Sequence, residues 1–85
     1  MSKFFKISEG LLVKIDSITA IHKAQKWVYD IHTESKVYSF EVSDDLKDEV
    51  TAESLAKAIQ GAIHADNVCA DYETGLIYYK RIFGK

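Results

Sequence analysis

From Trp27 to Val42, apolar and polar side chains alternate one by one around a short polar tip, and no other feature constrains the fold as tightly. Trp27, Tyr29 and Ile31 fall on one face, and Val28, Asp30, His32 and Glu34 on the other. Past Glu34-Ser35-Lys36, Tyr38, Phe40 and Val42 stand opposite Ser39 and Glu41. Period two is that of a strand with one buried and one wet face. Two such runs around a polar tip predict a hairpin. The tip holds neither Asn-Gly nor Asp-Gly, so its turn type stays open.

The same period continues upstream. Leu11, Val13 and Ile15 share a face, a short strand around Phe4 to Ile7 precedes them through Ser8-Glu9-Gly10, and Ile18 to Ala24 resumes after Asp16-Ser17. Downstream, Ala52, Leu55, Ala56, Ile59, Ala62 and Ile63 follow helical spacing and form one apolar stripe. Thr51 suits the N-cap, Glu53 the first turn, and Val50 with Leu55 a hydrophobic staple. Asn67 to Tyr72 and Leu76 to Phe83 flank Glu73-Thr74-Gly75 and read as a second hairpin, with Gly75 supplying a positive φ. The expected fold is α+β: a twisted antiparallel sheet of four to six strands with one α-helix packed on one face, in the order β-β-β-β-α-β-β. With no proline and four glycines in 85 residues, no linker is visible, and residues 1–85 are expected to form a single small domain.

A hydrophobic share of 47% and a charged share of 28% are those of a globular chain. The net charge of −2 weighs against a dedicated nucleic-acid binder, which needs many phosphate contacts. Cys69 is the only cysteine, so an internal disulfide is excluded and nothing points to an oxidising compartment. The opening MSKFFKISEG lacks the apolar run of a signal peptide, and no stretch is long enough to span a bilayer. A cytoplasmic location without membrane contact is expected.

Catalytic signals are missing from the sequence: it has no nucleophile elbow, no glycine-rich phosphate loop and no Cys-His pair at a known spacing. A non-enzyme without cofactors is the expectation. Asp30, His32 and Glu34 share a strand face, and His22 on the preceding strand could approach them as a metal or acid–base set. Alternate strand residues stand about 7 Å apart, however, which suits a solvated face better than one ion. Asp44, Asp45, Asp48 and Glu49 form an acidic cluster without the glycine and closing glutamate of a calcium loop; it could meet a basic partner. Tyr78, Tyr79, Lys80 and Arg81, with Lys85, could stack bases and hold phosphates, which makes nucleic-acid binding an alternative function.

Residues 11–43, with Ile18 and Ile21 and a helix to follow, resemble in hydrophobic rhythm the LytTR DNA-binding domain and a small FlbD-like flagellar-operon family. The resemblance includes no functional motif and transfers no residue role. The leading expectation rests instead on the aromatics. Trp27, Tyr29, Tyr38, Tyr72, Tyr78 and Tyr79 are too many for a small core, and surface aromatics favour protein contacts. The chain is therefore expected to be a protein-interaction module. It would bind itself, as a homo-oligomer and first of all a dimer, or a protein partner, through Trp27, Tyr29, Tyr38 and the acidic cluster. By analogy alone, a small phage or mobile-element inhibitor would fit.

Overall fold

The alternating runs do become strands. In the computed structural model, which describes residues 3–84, β4 (Val28–Thr33) and β5 (Val37–Glu41) form the expected hairpin. Tyr29 lies opposite Phe40 and Ile31 opposite Tyr38. Thr33 closes the tip: its hydroxyl donates to the Lys36 carbonyl at 2.7 Å and accepts the Lys36 amide at 3.1 Å. β3 (Ile18–Gln25) pairs antiparallel with the other edge of β4, giving the order β3-β4-β5.

Instead of one sheet of four to six strands there are two of three. β1 (Phe4–Ser8) pairs antiparallel with β2 (Leu11–Lys14) and parallel with β6 (Cys69–Ala70). A 3-10 turn at Ile15–Ser17 carries the chain from one sheet to the other. The register slips by one residue between Ile18 and Ala20, so Ile18 and Ile21, three apart, both pack against the core. A regular strand would send them to opposite faces; the bulge removes that conflict. Trp27 lies not in a strand but in the turn between β3 and β4.

α1 (Ala52–Ile63) starts as expected. The Thr51 side chain accepts the Ser54 amide at 3.0 Å, and the Ser54 hydroxyl accepts the Thr51 amide at 2.8 Å, a reciprocal capping box. Val50 and Leu55 are both buried.

The second hairpin is overturned. Tyr72–Phe83 is a helix, α2, and Gly75 is one of its helical residues rather than a turn residue. Asp71 caps it by accepting the Thr74 amide at 2.9 Å, Glu73 sits in its first turn, Lys80 and Arg81 in its last, and Gly84 ends it with φ 76°. The order is thus β-β-β-β-β-α-β-α, with two helices instead of one.

The helices run parallel. Tyr72 hydrogen-bonds Ser54 at 3.0 Å near their starts, and the His64 and Phe83 rings meet at 6.2 Å near their ends. Between these contacts, Gly75 faces Ala58 and Gly61 so closely that a Cβ at Gly75 would overlap the Ala58 carbonyl, and one at Gly61 the Gly75 carbonyl. Residues 64–71 return the chain along the pair. Phe5, Ile31 and Leu55 fill the centre of the core, each worth about 2 kcal/mol in buried surface.

This crossing yields a test. Alanine normally stabilises a helix interior by about 1 kcal/mol over glycine. At Gly61 and Gly75 the added methyl meets backbone that cannot yield, so Gly61→Ala and Gly75→Ala should each lose 1–3 kcal/mol (order of magnitude) in urea unfolding. A gain in stability from either variant would contradict the close approach.

Candidate functional site

β3 is the longest strand of the protein, at eight residues, and among the described residues it is paired along one edge only. Slips between Ile18 and Ala20 and between Lys23 and Gln25 leave Ala20 to Lys23 as its regular stretch. Beside the open edge runs α1. Between them lies a groove of about 610 Å³, lined by Ile18, Ala20 and Ile21 of the strand and Ala52, Ala56 and Ile59 of the helix, with Thr19, Glu53 and Gln60 as its polar members.

The helix stripe read from the sequence is split by this geometry. Leu55, Ile59 and Ala62 enter the core. Ala52, Ala56 and Ile63 stay exposed, Ile63 at 46%. Ala52 and Ala56, one turn apart on one side of α1, line the groove together with the buried Ile59, and Ile63 is exposed beyond it. An open ladder edge beside an unfilled apolar groove is the geometry that receives an added strand.

Of the aromatics assigned to a partner, Tyr29 is buried and donates to the Val50 carbonyl at 3.2 Å. Tyr38 is half-buried against the core with the Lys36 ammonium over its ring. Only Trp27 reaches the surface, 38% exposed. It adopts φ 65°, the left-handed region that bulky side chains avoid, while its carbonyl accepts the Val42 amide at 2.9 Å. Lys26 and Lys47 place ammonium groups 4.6 and 4.1 Å from the ring centroid. Lys47 also reaches the Asp44 carboxylate at 2.7 Å. Trp27 and the exposed run of Asp44, Asp45, Asp48 and Glu49 therefore share one corner. The hydrogen bond from Lys47 and then its charge hold the Asp44 carboxyl below the usual carboxylate range.

Of the remaining assignments, His22, Asp30 and His32 do come together on the β3–β4 pair, whereas Glu34 and the Tyr78–Arg81 run lie apart from them. His22 lies opposite Asp30 and Ala20 opposite His32, with the two imidazoles 6.4 Å apart edge to face. Glu34 lies in the turn beyond β4, its amide donating to the Ser17 carbonyl at 3.1 Å. Among the described residues, no group of three or more His, Cys, Asp or Glu side chains gathers as a metal would require. Tyr78, Tyr79, Lys80 and Arg81 are successive residues of α2, so they point around a helix instead of lining one face of a hairpin. Tyr78 donates to Asp66 at 3.1 Å under the Arg81 guanidinium, and Tyr79 rests on Phe83 at 4.6 Å. Lys85 lies outside the described residues.

A second cleft, of about 270 Å³ between β1, β5 and the start of α2, is edged by Glu9, Glu41, Asp71 and Glu73 with Lys6. Among the described residues no helix is long and apolar enough to cross a membrane. Comparison with known proteins finds no matching family model, and neither a curated protein nor a solved structure significantly similar to this chain.

Two outcomes test the Trp27 corner. Both Trp27→Gly and Trp27→Ala remove the ring, but only glycine accepts φ 65° without strain. The glycine variant should be the more stable by about 1 kcal/mol in urea unfolding followed by circular dichroism; equal stability would argue against the left-handed turn. In an NMR titration, Asp44 should protonate below the ordinary aspartate range and return to it in Lys47→Met. A lowered folded-state pKa means that the contribution to stability is present above the ordinary value and lost as pH falls through the lowered one.

Proposed function

We propose that this chain is a non-enzymatic protein-binding module that takes an extended segment along the open edge of β3. The observation that supports this reading is the conjunction of that edge with the β3–α1 groove. Strand addition draws affinity from main-chain hydrogen bonds, which an unpaired edge offers in a row. Specificity comes from alternate side chains, and the groove beside Ile18 and Ile21 would receive every second one. A segment with small or branched apolar residues at alternate positions fits this site.

Ala56 provides a test that leaves the core untouched, because it is exposed and lines the groove. Random octapeptides displayed on phage and selected against the chain should converge on alternating apolar sequences. Their affinity should fall at least about tenfold, near 1.4 kcal/mol, in Ala56→Arg and hold in Ile77→Arg on the outer side of α2. No enrichment, or enriched peptides indifferent to Ala56→Arg, would refute this reading.

A further inference from the structure

Apart from the strand-binding site, we infer that His22 and His32 form an open binding site for a divalent late transition metal, Cu(II) above all, on the outer face of the β3–β4 pair. Ile21 and Ile31 lie opposite each other and pack toward the core, so the flanking Ala20, His22, Asp30 and His32 point away from it. His22 and His32 are diagonal neighbours across the ladder, and their rings stand 6.4 Å apart, edge to face. The fourth corner of this square is Ala20, which is exposed and offers only a methyl group. That leaves room beside the rings for an ion and its waters.

Imidazole suits copper, nickel and zinc, whereas magnesium and calcium take oxygen ligands. A ring nitrogen binds such an ion at about 2.0 Å, which places the centroids of two rings on one ion about 5–6 Å apart. Rotation of the exposed His22 side chain supplies the remaining closure. Charge also favours a cation here. Asp30, directly opposite His22, adds a carboxylate to this face, while Lys23, the next residue of β3, alternates to the other. A closed site takes three or four protein side chains, and no such group gathers among the described residues. With two imidazoles the ion keeps water in its other positions. Affinity is then moderate and follows the metal, copper binding more tightly than nickel or zinc.

Calorimetric titration of the untagged full chain with copper chloride should give a single site with a dissociation constant in the micromolar range. Nickel and zinc should bind more weakly and magnesium not at all. His22→Gln and His32→Gln should each weaken copper binding at least about tenfold, because the remaining ring then holds the ion without its neighbour. His64→Gln, at the end of α1, should leave it unchanged. A second readout needs no substitution: substoichiometric Cu(II), a paramagnetic ion, should first broaden the amide NMR signals of residues 20–22 and 30–32. Broadening centred elsewhere, or copper binding that survives the paired His22→Gln and His32→Gln change, would overturn the site. A chain that takes up no copper would overturn it equally.

Discussion

The approach of α1 to α2 through Ala58, Gly61 and Gly75 is the contact on which the rest depends. No side chain separates the helices there, so backbone meets backbone. That density of van der Waals contact offsets the helix propensity that two glycines forgo. Because the helices are parallel, the chain between them must travel back along their length. Residues 64–71 do so, and on the way Cys69 and Ala70 add to β1 as a parallel strand. The Lys3 ammonium fastens the return by donating to the Ala65 carbonyl at 2.6 Å.

The same packing accounts for what is left uncovered. α1 is drawn toward α2 on one side and presses Leu55 and Ala62 into the core below. Its third side, with Ala52, Ala56 and Ile63, stays exposed, Ala52 and Ala56 along the groove beside β3. β3, on the far side of β4 from β5, has no further strand to pair with among the described residues. A domain of this size leaves a large share of its surface exposed.

Much of the fold was legible, and the failures have physical causes. The 28–41 hairpin and the start of α1 followed from period two, Thr51 and Val50, signals that depend on near neighbours. Residues 72–83 misled because Tyr, Ile and Phe favour strands and Gly75 suggested a turn. Yet Asp71, Glu73, Lys80, Arg81 and Gly84 stood in the order of a capped helix. Local propensity lost to a tertiary contact that needs a side chain of zero volume. The site was less legible. Of the aromatics first assigned to a partner, only Trp27 stands at the surface, because Tyr29 found the Val50 carbonyl and Tyr38 the core. Ala52 and Ala56 read as ordinary members of a buried stripe.

The sequence by itself determined the strands of the larger sheet, the first helix and its cap, and the sparse chemistry: one thiol, three histidines and a near-neutral charge. Those properties lie in residue type and short-range spacing. Only the tertiary structure decided that there are two sheets, that Gly75 is a helix contact, and that β3 and one strip of α1 remain open. Edges and faces are defined by which elements become neighbours. That choice is made by packing across the whole chain, so no short window of residues contains it.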